Sequence, residues 1–105
     1  MFAYDGHKFK IVLHNYIEGG IRLDLEEWDD DFQTWFPYSR ITTCIPRITL
    51  SPDEILINTD DEFILDFIAE TGLAYPREKV VASGYNLYEV YKLNMELIQK
   101  ELNND

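Results

Sequence analysis

The sequence predicts an α+β domain: a small antiparallel sheet packed by one central helix, with a further helix at the C-terminus. Three observations carry that expectation. Two neighbouring stretches, KFKIVLHNY and IRLDLEEW, alternate apolar and polar residues with the period of a half-buried strand. Phe63, Ile64, Phe67 and Ile68 form a helical apolar stripe that Gly72 closes. Finally, NMELIQKELNND places Met95, Ile98 and Leu102 at helical spacing.

Taken in chain order, the first strand turns Phe9, Ile11 and Leu13 inward and Lys8, Lys10 and His14 outward. Gly19-Gly20 supplies the positive-φ residues of a tight hairpin. The second strand sends Ile21, Leu23 and Leu25 inward and Arg22, Asp24 and Glu26 outward; Trp28 and Asp29–Asp31 then enter a turn or loop. A β-rich run follows, read as a strand over about 40–45 that continues irregularly to Leu50 with Pro46 as a break, bulge or edge position. SPDE is a turn and ILI a short strand or connector. Thr59 or Asp60 caps the central helix, Asp61 and Glu62 favour its positive N-terminus, and Leu73 makes the contact that accompanies a Gly72 stop. KVVASGYNLYEVYKL reads as strand, interruption at Ser83-Gly84, and strand again. The helical tail spans about 94–105, and its last residues are expected to fray.

At 105 residues the chain has room for one core, so 1–105 is read as a single domain. No apolar run approaches the roughly 20 residues of a membrane helix. The opening MFAYDGHKFK lacks a basic-then-apolar signal pattern, and a lone cysteine, Cys44, excludes an internal disulfide framework. A cytoplasmic protein is expected.

Charge is the outlier. The net value is −11, and two windows hold 13 of the 20 acids. Leu23–Ser39 carries Asp24, Glu26, Glu27, Asp29, Asp30 and Asp31 with no Lys or Arg. Ile48–Pro76 carries Asp53, Glu54, Asp60, Asp61, Glu62, Asp66 and Glu70, again with no base. Such a chain is repelled by nucleic acid and anionic lipid, so neither is an expected direct partner.

Catalysis finds little footing. Cys44, His7 and His14 are the candidate nucleophile and bases, none lies in a recognisable motif, and the two histidines flank a strand pointing to opposite faces. Cys44 reads as a small core residue, the histidines as surface or edge positions. No catalytic residue, cofactor or metal site is expected. DLEEWDDD has oxygen ligands of the kind calcium takes, but no register supplies both the offsets and the glycine of a twelve-residue calcium loop. A protein partner is the better fit. Alternate strand carboxylates lie roughly 6.6 Å apart, of the order of two phosphate steps at about 3.4 Å each. A row of them can occupy a groove built for a nucleic-acid backbone, with Trp28, Trp35, Phe36 and Tyr38 beside it as the aromatic residues a binding hot spot needs. Local structure alone explains most of the other acids, through helix capping, the macrodipole and a turn; only the Asp24–Asp31 density exceeds what local structure demands.

The segment SPDEILINTDDEFILDFIAETGLAYPREKVVASGYNLYEVYKL resembles the C-terminal half of a small bacterial and mobile-element family, domain of unknown function family 4313. The resemblance lies in the DEILI strand, a helix ending ETGL, and SGY followed by VYKL; GIRLDL and RITL match the N-terminal half, so it covers most of 8–93. EEWDDD and the tail after Leu93 depart from the family pattern. The resemblance implies no activity. It implies a bacterial, phage or plasmid setting, where small acidic proteins resemble DNA mimics that block restriction or CRISPR nucleases.

The expected function is therefore non-enzymatic: an inhibitor that presents Asp24, Glu26, Glu27, Trp28, Asp29, Asp30, Asp31 and Trp35 to the basic groove of a nucleic-acid-handling protein. Asp53, Glu54, Asp60, Asp61, Glu62, Asp66 and Glu70 would extend that surface. The alternatives are an accessory domain that dimerises through a strand edge and is acidic for solubility alone, and, third, a calcium-responsive module.

Overall fold

A computed structural model describes residues 1–16, 20–45 and 48–103. Its described elements run β1 (Phe2–Tyr4), β2 (His7–Asn15), β3 (Ile21–Asp29), β4 (Thr34–Arg40), β5 (Glu54–Asn58), α1 (Glu62–Thr71), β6 (Ala74–Ser83), β7 (Asn86–Leu93) and α2 (Met95–Asn103). The fold is α+β. Where one sheet was expected there are two, both antiparallel: sheet A in the order β1-β2-β3-β4 and sheet B in the order β5-β7-β6. The expected turn glycine Gly19, the break at Pro46 and the fraying of 104–105 lie outside the described residues.

Period-2 alternation builds β2 and β3 as expected. Phe9, Ile11, Leu23 and Leu25 are buried, and the pairs Ile11↔Leu25 and Leu13↔Leu23 fix the register. Leu13 departs from the pattern: it shares the inward parity but is 39 % exposed, on the part of β2 beyond the ladder with β1, which ends at Phe2↔Phe9. Trp28 and Asp29 also depart from expectation. They continue the ladder, opposite Trp35 and Thr34, and the turn is confined to Asp30–Gln33.

The strand expected at 40–45 lies instead at Thr34–Arg40. Pro37 within it is tolerated because β4 is an edge, where no neighbour needs the missing N–H. The register slips between Leu25 and Glu26, whose partners are Ser39 and Pro37, so Tyr38 is the extra residue of a bulge. Residues 41–45 are then a crossing between sheets. Ile41 donates its N–H to Leu23 O on sheet A at 2.8 Å, and Thr43 to Leu56 O on sheet B at 2.9 Å.

The cap of α1 is Asp61, not Thr59 or Asp60; its Oδ1 accepts from Ile64 N at 3.2 Å. Thr59 instead donates its hydroxyl to Leu87 O, and Asp60 its N–H to Asn58 Oδ1. Gly72 ends the helix at φ 72°, donating to Ile68 O, and Leu73 is fully buried. β6 starts at Ala74, earlier than expected, and bulges between Pro76 and Val80, where Glu78 takes φ 60°. Gly84 makes the two-residue turn into β7. Asn94 joins the two helices: its Oδ1 caps α2 at Leu97 N, and its Nδ2 donates to Gly72 O at the end of α1.

The core lies where α1 and α2 meet the inner faces of the sheets. Phe67 is its pivot, with ring centroids 5.6 Å from Phe2, 5.5 Å from Tyr4 and 5.8 Å from Phe9. Ile55, Ile57, Leu73, Leu93 and Ile98 complete it from the other side. Burial of such side chains is worth about 1.5–3 kcal/mol each. It clamps α1 across sheet A and so decides where the helix's acids point.

Candidate protein-binding surface

The six carboxylates of Asp24–Asp31 do not form one row in space. Alternation puts Asp24 and Glu26 on the outer face of sheet A and Glu27 on the inner, and neighbouring strands bring bases to all three. Asp24 lies 2.8 Å from Arg22, 3.6 Å from Arg40 and 3.8 Å from His14. The hydrogen bond to Asp24 holds the Arg22 guanidinium above its ordinary pKa. Glu26 meets Lys10 at 3.6 Å, and Glu27 meets His7 Nδ1 at 2.5 Å. Within its own sequence window the stretch has no base; in the sheet it has several.

The outer face of sheet A therefore carries Lys8, Lys10, Arg22 and Arg40 beside Asp24 and Glu26, and is not acidic. Trp28 and Trp35 pair edge-to-face on it, with centroids 5.3 Å apart, and Lys10 Nζ sits 5.1 Å from the Trp35 ring centre. Both tryptophans are half-buried in this packing.

The tip of the β3–β4 hairpin differs. Asp29 Oδ1 accepts from the backbone N–H of Asp31 at 2.8 Å and of Phe32 at 3.0 Å, which folds the turn. Asp30 accepts from the Trp28 indole N–H at 2.8 Å, and Gln33 closes the loop at φ 53°. Asp30 and Asp31 are exposed. Among the described residues no Lys, Arg or His lies within ion-pairing distance of Asp29, Asp30 or Asp31.

The antiparallel register puts the β1–β2 turn at this same end of the sheet. There Tyr4 donates its hydroxyl to Asp66 of α1, and Asp5, Asp66 and Glu70 line one cleft with Tyr4. The Asp66 hydrogen bond, with partial burial and the charges of Asp66, Asp5 and Glu70, pushes the Tyr4 phenol up to about 12. No described base is within ion-pairing distance of those three acids either. Two acidic groups distant in sequence thus lie at the same end of sheet A.

The remaining candidates separate. Asp53 pairs with Lys92 at 3.8 Å and Glu54 with Arg77 at 3.5 Å, on sheet B. The Ser51 N–H, and the nearby Lys79 and Arg77, hold the Glu54 carboxyl below its ordinary range against the effect of burial. Asp61 is spent on the helix cap, while Asp60 and Glu62 stand beside it at the head of α1. His7 and His14 occupy opposite faces of β2, and Cys44 is half-buried in the wall of a cavity of about 510 Å³ formed with Ile21, Ile45, Leu50 and Ile55. Among the described residues no group of three or more His, Cys, Asp and Glu side chains is placed to hold a metal ion.

Two features escaped sequence reasoning. Asp5 and Tyr4 gain significance only through α1, which no local pattern reveals. Phe32, 73 % exposed, was not singled out, and the 44 and 48 % exposure of Phe36 and Tyr38, named only as aromatics beside the acidic stretch, depends on their place on an edge strand. The composition of DDDFQTWFPYS, turn formers followed by β-formers, is the signal that would have moved the strand to β4 and its aromatics to an edge.

No family model, curated protein or solved structure matches this chain.

Proposed function

We propose that the protein is a non-enzymatic, acidic protein-binding domain that presents one end of sheet A to a basic groove on a nucleic-acid-handling protein. In the fullest form of the proposal it is a DNA-mimic-type inhibitor of a CRISPR or restriction nuclease, acting in a bacterial cell from a phage or mobile element. That setting comes from the resemblance to family 4313. The observation that carries the reading is that the cleft of Asp5, Asp66 and Glu70 and the Asp29–Asp31 hairpin tip lie at the same end of sheet A, none of these acids answered by a described base. Unpaired carboxylates on a rigid end steer a cationic groove and compete there with phosphate.

The alternative, an accessory domain that dimerises by strand pairing, has less geometry behind it. β4 carries Pro37 and a bulge, β6 carries Pro76 and a charged bulge at 77–79, and β5 is bridged by Thr43. These are the devices that blunt edges.

The test is a tagged pull-down from nuclease-treated host lysate, eluted along a salt gradient and challenged with duplex DNA. The expected catch is one nucleic-acid enzyme, released by moderate salt or by DNA, and lost in a variant carrying Asp5→Asn, Asp30→Asn, Asp31→Asn and Glu70→Gln. If that variant stays folded and captures equally well, the carboxylate mechanism is wrong.

A further inference from the structure

The acidic end also bears an apolar feature that a phosphate mimic does not need. Phe32 and Phe36 pair edge-to-face with centroids 5.9 Å apart, leaving 73 and 44 % of each residue exposed. Phe36 lies opposite Glu27 and so on the inner face of sheet A. Tyr38, brought to that face by the bulge, continues the line inward, 5.1 Å from Phe9 and 5.3 Å from Phe63 at the head of α1. α1 covers the inner end of this line, and the outer end is bare. An aromatic stripe therefore runs along the β4 edge from the Asp29–Asp31 turn to the acids Asp60 and Glu62 that flank the helix cap.

We infer that this stripe is a docking surface for a cationic protein segment carrying apolar anchors. The inference rests on the protein-binding reading above and names what that partner must supply. Charge complementarity identifies the occupant. Exposed ring faces bordered by unpaired carboxylates attract Lys and Arg both by ion pairing and by cation–π contact, while the rings reward an aromatic or aliphatic side chain laid between them. An anionic ligand is repelled by the same border. A strand cannot extend the sheet here, because Pro37 lacks an N–H and the Tyr38 bulge breaks the register. The segment is thus held by side chains.

The test uses two short labelled peptides of equal charge, one alternating Lys with Phe and one alternating Lys with Gly, titrated with the full chain in fluorescence anisotropy. The Lys–Phe peptide is expected to bind about tenfold or more tightly than the Lys–Gly peptide. The exposed double variant Phe32→Ser/Phe36→Ser should abolish the difference, whereas Asp30→Asn/Asp31→Asn should weaken both peptides alike. Equal binding of the two peptides by the unaltered protein overturns the inference, as does a difference that survives in the phenylalanine variant. So does a dimer in light scattering that the phenylalanine variant dissociates, since the occupant is then a second copy. If peptide discrimination is absent but salt- and carboxylate-dependent capture from lysate persists, the docking surface is wrong and the groove-binding reading stands. Loss of carboxylate dependence in both assays overturns both.

Discussion

Asp24–Glu27 and Asp29–Asp31 are adjacent in the chain and equally acidic, yet they differ as surfaces. The first three carboxylates lie on paired strands, where register supplies Arg40, Lys10, His7 and His14 as partners and the same strand adds Arg22. The last three lie at the hairpin tip, where the cross-strand neighbour of Asp29 is the uncharged Thr34 and the turn residues Asp30 and Asp31 have none. Two of these bend the chain and cap its N–H and indole donors, and they gain Asp5, Asp66 and Glu70 as company across the fold. Charge density in a sequence becomes charge density on a surface only where the sheet register provides no counter-charge.

The largest expected effect comes from dismantling what brings the acids together. Phe67 is fully buried against Phe2, Tyr4 and Phe9. Phe67→Ala should cost about 3–5 kcal/mol in chemical denaturation. It should also loosen α1 from the sheet, returning the Tyr4 phenol toward its ordinary titration. A destabilisation under about 1 kcal/mol would mean that the helix is not pinned there.

At the head of α1 the comparison can be sharpened between neighbours. Asp61→Ala removes the cap on Ile64 N and should cost about 0.5–2 kcal/mol. Asp60→Ala, which leaves only its backbone N–H bond in use, should fall within about 0.5 kcal/mol of the unaltered protein. Equal losses would break the distinction between a structural acid and a free one.

Tyr4 reports on the acidic end directly. With its phenol raised from 10.0 to about 12, the folded protein holds that proton more tightly than the unfolded chain. The stabilisation is thus fully present below pH 10 and is lost as pH rises through about 12. Ultraviolet titration should show one late tyrosinate, and Asp66→Asn should move it earlier by removing the main cause of the shift. A titration unchanged by Asp66→Asn would contradict the assembly of that end.

A small and salt-sensitive effect is expected on the strand. Lys10→Ala should change stability by about 0–1 kcal/mol, with most of the difference vanishing in molar salt, because the pair it forms with Glu26 is only partly shielded from water.

Much of the fold was legible because its signals are local. Alternation marked β2 and β3, the run resuming after the Ser83-Gly84 interruption marked β7, the Phe63–Ile68 stripe and Gly72 marked α1, and Met95, Ile98 and Leu102 marked α2. β4 was missed because Pro37 argues against a strand unless the strand is known to be an edge, and edge status belongs to the topology. The second sheet was hidden for the same reason: β5 and β7 pair across 30 residues or more, and nothing in either strand announces its partner. The candidate surface was half legible. Its acids and aromatics were visible as composition, but which acids are paired depends on register, and Asp5 and Tyr4 enter only through the packing of α1.

The most direct test of this account needs no partner. Paramagnetic relaxation of backbone amides by cationic and anionic nitroxide co-solutes reads the local electrostatic potential residue by residue. The expected result is strong preference for the cationic probe at 30–33 and around Asp5 and Gly6, with little preference along Arg22–Glu26. A potential as negative along Arg22–Glu26 as at the turn would mean that the strand carboxylates are not neutralised, and that the acidic surface is the row itself.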